Sequence, residues 1–242
     1  MIPRIHLDVD EPLRQGDVSV LPPQQSRHVA QALRLRGGDA LTVFTGRGGE
    51  YEATIERVER RDVVVRVGRH VPIERESAFA VTLVQSLIAA DMMDLVVRKA
   101  VELGVATIVP VQAARSQGVP AERAVRRAGH WRQIAIAACE QCGRNRIPHV
   151  HDALSLLRWL ASDDADAPGV ILDATAAASL VAVGSKALPS VLLSGPEGGF
   201  TPEEVHAATA RGFFAAHLGP RVLRAETAPL AALATLNALA ER

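Results

Sequence analysis

Two glycine-bearing segments carry the residues best suited to chemistry. The first is Leu193-Ser194-Gly195-Pro196-Glu197-Gly198-Gly199-Phe200-Thr201, which leaves an apolar run and enters a helical pattern. Its three glycines let the backbone approach a ligand closely and expose N–H groups. Thr201 followed by Glu204 has the pattern of a capping box, and Pro202 suits a first helical position. The second is Leu218-Gly219-Pro220-Arg221-Val222-Leu223-Arg224-Ala225-Glu226-Thr227-Ala228, which also follows a strand pattern and feeds a helix. Neither fits G-x-x-x-x-G-K-[ST] or G-x-G-x-x-G. Spacing alone therefore leaves two readings open. Either both loops close on one ligand at the carboxyl edge of a sheet, or they are ordinary strand–helix turns.

The elements that must position these loops fall into two styles. Near the start, Val18–Leu21, Leu41–Phe44, Tyr51–Val58 and Val63–Val67 read as short strands. One helix over Ser26–Leu35 is expected to end at Arg36-Gly37-Gly38-Asp39, with glycine in the left-handed cap. Short strands at this spacing predict a small barrel. Val71–Ser77, with proline and charges, reads as a linker. From Phe79 onward strands alternate with helices: strands at Phe79–Leu87, Val105–Val111, Val170–Leu172, Val191–Leu193 and Phe213–Leu218, helices at Met92–Leu103, Pro120–Gln141, Leu154–Leu160, Thr201–Arg211 and Ala225–Ala240. Apolar strands in repeated βα units predict a mostly parallel sheet covered on both faces. The expected domains are 1–72 and 73–242, giving an α/β chain with a small N-terminal β-barrel.

Composition narrows the function classes. The chain has 242 residues, 27 Lys plus Arg and 27 Asp plus Glu, for a net charge of zero. That excludes a histone-like, uniformly basic binder. The zero is a sum of opposites, however. Residues 77–150 hold 9 cations against 5 anions, and residues 151–242 hold 6 against 10. Arg115–Arg146 is the basic centre, with Arg115, Arg123, Arg126, Arg127, Arg132, Arg144 and Arg146 against Glu122 and Glu140. It reads as an RNA backbone track or as a solvated helix face. Cys139 and Cys142 form one C-x-x-C with no second pair and no histidine at zinc spacing, so no metal is expected. They read as two helix residues. No run reaches the ~18 apolar residues of a membrane span. A cytoplasmic protein is expected.

Taken together, these residues resemble a family. Gly195-Pro196-Glu197-Gly198-Gly199-Phe200, with Leu218-Gly219-x-x-Val222-Leu223-Arg224-x-Glu226-Thr227-Ala228, is similar to the signature of the RsmE-type 16S rRNA methyltransferases of the SPOUT superfamily. Lys99-Ala100-Val101-Glu102-Leu103-Gly104-Val105, Arg115-Ser116, Trp131-Arg132, Glu140-Gln141-Cys142-Gly143-Arg144, Arg4 and His28-Val29-x-x-Ala32-Leu33-Arg34 extend it along nearly the whole chain. One departure stands out: Ala89-Ala90-Asp91-Met92-Met93-Asp94 replaces a Lys-Gly-Asp-Arg-Met-Asp pattern and lacks its two cations.

The resemblance implies a PUA-like barrel that helps hold RNA and a SPOUT-type domain with a trefoil knot. It implies S-adenosylmethionine as cofactor, a homodimer, and methylation of uridine N3 in 16S rRNA of the small ribosomal subunit. On that basis the cofactor-binding residues are Leu193, Ser194, Gly195, Pro196, Glu197, Gly198, Leu218, Gly219, Arg221, Val222, Leu223, Thr227 and Ala228. Arg224 and Glu226 are the catalytic candidates. Arg4, Arg34, Arg115, Arg123, Arg126, Arg127 and Arg144 are the RNA-binding candidates. Local alternatives stay open for several of them. Leu218, Val222 and Leu223 could be core. Glu197 could face the cofactor or cap the following helix. Arg224 and Glu226 could be a local ion pair, and Glu226 or Thr227 a helix cap. The N3 proton acceptor is not identifiable; none of the eight histidines is expected in either loop.

Overall fold

A computed structural model describes residues 2–9, 11–60, 62–116 and 121–241, with backbone alone for 121–126. The chain divides into two compact units. One is Met1–Glu76 with Cys139–Ile147; the other is Ser77–Ala138 with Pro148–Arg242. The segment Cys139–Ile147 thus joins the first unit, which no linear boundary expresses.

The first unit holds β1 (Arg4–His6), β2 (Val18–Val20), α1 (Pro23–Arg27), β3 (Ala40–Phe44), β4 (Glu50–Val58) and β5 (Val63–Val71). They form one sheet in the order β1-β3-β4-β5-β2, with β1 parallel to β3 and the other pairs antiparallel. Its edge strands β1 and β2 do not pair, so the expected barrel is a curved half. Alternation sets the inward face: Ala53 and Ile55 of β4 are buried while Glu52 and Thr54 are exposed. Ile5, Leu7, Val29, Leu41, Val43 and Val65 complete the core.

Three local expectations change. β1 was not expected, because three residues are too few to show a period. The linker starts later, since β5 continues through Val71. The helix begins at Pro23, passes into a π-turn over His28–Ala32, and ends on Arg34 in the left-handed region (φ 55°). Leu35 N–H then reaches back to the Val29 carbonyl at 3.1 Å. Gly37 does not take the cap; Gly38 (φ 94°) donates instead to Ile55 O at 2.8 Å.

The second unit holds β6 (Thr82–Ser86), α2 (Ala90–Glu102), β7 (Thr107–Gln112), α3 (Ala121–Cys142, whose last turn lies in the first unit), β8 (His149–Val150), β9 (Leu154–Ser155) and α4 (Leu156–Leu160). It continues with β10 (Gly169–Leu172), α5 (Leu180–Gly184), β11 (Val191–Ser194), α6 (Pro202–Ala210), β12 (Phe214–Ala216) and α7 (Thr227–Ala240). The sheet order is β12-β10-β11-β6-β7-β8, with β9 also on β7, and every pair is parallel. Val84, Val109, Ile171, Leu193, Trp159 and Phe213 pack its core. Gly104 (φ 81°) ends α2 as expected. Gly169 is required for another reason: a Cβ there would lie 2.1 Å from the Phe213 ring. The helix expected from Leu154 opens instead as strand β9. The apolar helix α7 buries one side, through Pro229, Ala232, Leu233 and Leu236. Among the described residues no helix is long and apolar enough to cross a membrane.

Parallel pairing brings all carboxyl ends to one edge. β10 pairs with both β11 and β12, so its end lies between the two glycine-bearing loops.

Candidate active site

At that edge a cleft of about 790 Å3 opens. β11 delivers the first loop. Ser194 closes the strand, Gly199 turns it in the left-handed region (φ 67°), and Gly199 N–H donates to Pro196 O at 2.8 Å. Thr201 then caps α6 through the expected box, with Glu204 N–H donating to Thr201 Oγ1 at 3.3 Å and Thr201 N–H to Glu204 Oε2 at 2.9 Å. The other Glu204 oxygen, 5% exposed as a residue, accepts from Ala114 N–H at 2.7 Å. One buried carboxylate thus fixes the helix start to the segment after β7.

The second loop leaves β12. His217 is held by backbone bonds on both sides, donating to Ala178 O and accepting from Leu180 N–H, each at 2.9 Å. Its Nδ1 accepts from Gly219 N–H at 3.0 Å. The proton of the neutral ring therefore sits on Nε2. A turn at Arg224 O accepts from Thr227 and Ala228 N–H at 2.9 and 3.0 Å and starts α7.

Most of the expected cofactor residues meet here. Ser194, Gly195, Pro196, Glu197 and Gly198 line the cleft, as do Leu218, Arg221, Val222, Leu223 and Ala228. So do Arg224 and Glu226. Three assigned residues are off the wall. Leu193 is wholly buried in the sheet core. Gly219 is the turn residue held by His217, and Thr227 is the exposed first residue of α7. The core reading of Val222 fails, because the residue is 85% exposed.

Several local alternatives are also resolved. Glu197 does not cap α6; it accepts from Ala89 N–H at 3.0 Å, at the N-terminus of α2 where a carboxylate is favoured. Glu226 occupies the N-cap position of α7 without a side-chain capping bond. Arg224 and Glu226 form no ion pair with each other.

The RNA-binding expectations change more. Arg115 donates through Nη1 to Gly198 O at 2.9 Å and Phe200 O at 3.4 Å, so it braces the first loop. Arg4 reaches Glu50, Asn145 Oδ1 at 2.5 Å and Arg144 O at 3.3 Å, and stacks 5.0 Å from the Phe44 ring. Arg144 is 4% exposed and grips both oxygens of Glu76. Arg144 is thus interior to the first unit, and the Arg4 side chain is largely covered, at 10% exposed. Arg34 is exposed and Arg127 half-buried. The side chains of Arg123 and Arg126 lie outside the described residues. Cys139 and Cys142 are free and end α3, and burial pushes the Cys139 thiol up to about 12. Among the described residues no cluster of three metal-ligating side chains occurs.

Sequence reasoning missed Leu172, Asp173 and Ala174, which line the cleft from the end of β10, and His217. The signal for Asp173 was weak: one carboxylate ending a short apolar strand. His217 precedes the second motif by one residue and was passed over for that reason.

Comparison with known proteins agrees with this arrangement. Residues 75–237 match the RNA methyltransferase domain family, and residues 21–68 match the RNA methyltransferase PUA domain family. The ribosomal RNA small subunit methyltransferase E of Mycobacterium bovis is 32% identical over 238 residues, covering 94% of this chain and 88% of its own. The chain belongs to this methyltransferase E family. A crystal structure of the methyltransferase E of Neisseria gonorrhoeae, bound to S-adenosylmethionine, is 35% identical with a TM-score of 0.89 and covers 99% of this chain and 98% of its own. A Legionella pneumophila structure in complex with the same cofactor is 34% identical, also at 0.89, covering 98% of each chain. Within this methyltransferase E family, the parallel α/β unit described here is the methyltransferase domain and the half-barrel is the PUA-like domain.

Proposed function

We propose that this chain methylates uridine N3 in 16S rRNA of the small ribosomal subunit, using S-adenosylmethionine. The observation that carries the reading is the cleft: two loops bearing the family signature converge at the carboxyl edge of a parallel sheet. Its donor set fits the cofactor. Ser194 Oγ is buried, lines the cleft and has no hydrogen-bond partner among the described residues. Leu218 and Leu223 offer apolar surface for a purine. Glu197 and Asp91 place carboxylates around a site for a cation.

S-adenosylmethionine supplies a methyl group activated on a sulfonium, so no metal is required. The chain's own work is to bind, aim and exclude water. The two loops are braced for this by Arg115, Glu204 and His217, through the bonds described above. Arg224 and Glu226 place opposite charges on the wall of the donor cleft. In this reading the PUA-like unit holds RNA, the active form is a homodimer, and the last segment is knotted. Pairing of β12 with β10 and not with its predecessor β11 supports the knotted threading. The reaction belongs in the cytoplasm with the ribosomal subunit.

The test is incubation with tritiated S-adenosylmethionine and small subunits lacking the modification, followed by mapping of the label. Label on uridine N3 is expected. Label on a ribose or on another base position would overturn the assignment.

A further inference from the structure

A second cavity of about 690 Å3 lies beside the cleft. Leu172, Asp173, Ala174, Gly198 and Gly199 line both. Arg115, Thr175, Phe200 and His206 form other walls of the second one. We propose that this second cavity receives the target nucleotide, and that Asp173 accepts the uracil N3 proton and selects uridine over cytidine. The proposal rests on the methyltransferase reading above and deepens it.

The geometry favours Asp173 for three reasons. A methylated nitrogen must sit where the donor site and the nucleotide site meet, and Asp173 is the one acidic residue on the walls of both cavities. His206 lines the second cavity alone. Next, one carboxylate oxygen is already fixed. Asp173 Oδ1 accepts from Thr175 N–H at 2.8 Å and from Thr175 Oγ1 at 2.7 Å, an Asx-type turn. Its backbone N–H is tied to Ala216 O at 3.0 Å. Finally, Oδ2 has no partner among the described residues. An anchored carboxylate with one free oxygen is a positioned acceptor.

The remaining walls suit a base. Phe200 is a half-buried aromatic on which a base can stack. Arg115 has five N–H donors, and the carbonyls of Gly198 and Phe200 engage its Nη1. The rest of the fork is left for uracil carbonyls or a phosphate. Uracil presents N3–H to Asp173. Cytosine presents a lone pair at the same place and would be repelled.

Asp173 Oδ2 takes the N3 proton as N3 bonds to the methyl carbon. The carbon–sulfur bond of the sulfonium breaks and its electron pair stays on sulfur, leaving a neutral thioether. The proton then passes from Asp173 to solvent. A positioned acceptor of this kind contributes roughly 100-fold or more to the rate.

The experiment uses the full chain without cofactor and two unstructured five-nucleotide RNAs, one with a central uridine and one with a central cytidine. Fluorescence anisotropy should show the uridine RNA binding roughly tenfold more tightly. In D173N the new Oδ1 still accepts from Thr175, but an NH2 group now faces the base. The preference should invert toward cytidine. D173A, which removes the carboxyl group altogether, should bind the two RNAs equally. Methyl transfer by D173N should fall roughly 100-fold or more, while S-adenosylmethionine binding by calorimetry stays within about threefold. Wild-type protein that methylates yet does not distinguish the two RNAs would overturn the inference and leave the methyltransferase reading standing. So would D173N with an unchanged preference and rate. Wild-type protein that neither binds S-adenosylmethionine nor methylates would overturn the parent reading instead.

Discussion

Arg115 shows how residue type alone tells only part of a role. In the sequence it opens a basic stretch and reads as an RNA contact. In the structure its guanidinium is turned onto the carbonyls of the glycine-rich loop, and its side chain packs where a Cβ on Gly198 would come within 3.2 Å. Removing it frees the loop. R115A should weaken S-adenosylmethionine binding about tenfold, near 1.4 kcal/mol, by calorimetry. R115K should be intermediate, since a single ammonium cannot reproduce the fork. His6 offers a pH test in the other unit. Burial lowers its pKa from the ordinary 6.5, opposed by a bond to the Thr45 backbone and by Asp8. The unfolded chain therefore binds this proton more readily than the folded one. Stability from neutral His6 is complete above pH 6.5 and declines as pH falls below it. H6Q should flatten the drop in melting temperature between pH 7 and pH 5.

At the scale of elements, α6 is the member most fully specified by local chemistry. Its box, Thr201 with Glu204, was legible from spacing, and so was Pro202 at the first turn. The second duty of Glu204 was not, because Ala114 is ninety residues away in the chain. Glutamine has one acceptor oxygen where two are needed, so its NH2 would face a backbone N–H. E204Q should lose about 2–3 kcal/mol in urea unfolding, with an unchanged slope. T201A removes the cap alone and should lose about 1 kcal/mol. Equal losses for the two variants would show that the Ala114 bond contributes nothing. The same logic explains the missed elements. β1 and β9 have three and two residues. Such strands exist because a neighbouring strand offers hydrogen bonds, and no local period announces them.

For the molecule as a whole, net charge hides where cations are available. Of the seven arginines assigned to RNA, Arg4 is largely covered, Arg144 is interior and Arg115 braces a loop. Arg34 and Arg127 are the described candidates without such an internal duty. Each phosphate contact contributes about 0.9 to the slope of log affinity against log salt. The double variant R34A/R127A should reduce that slope by about 2 for rRNA fragments. R144A should instead destabilise the protein by about 3 kcal/mol or more, since it leaves Glu76 facing an emptied buried site. An unchanged slope in R34A/R127A would return both residues to plain surface.

What the sequence determined by itself was whatever depends on near neighbours and on period. That includes the strand–helix alternation of the second unit, the α6 cap, the Gly104 helix stop and the two signature loops. Tertiary structure alone decided which chain ends meet. The strand order places β10 between β11 and β12, and so delivers Asp173 to the space between two loops that follow it by more than twenty and forty residues. It also decided which arginines face inward. Both outcomes follow from pairing between distant segments, and the free energy of such pairing belongs to the packed whole and not to any window of the chain.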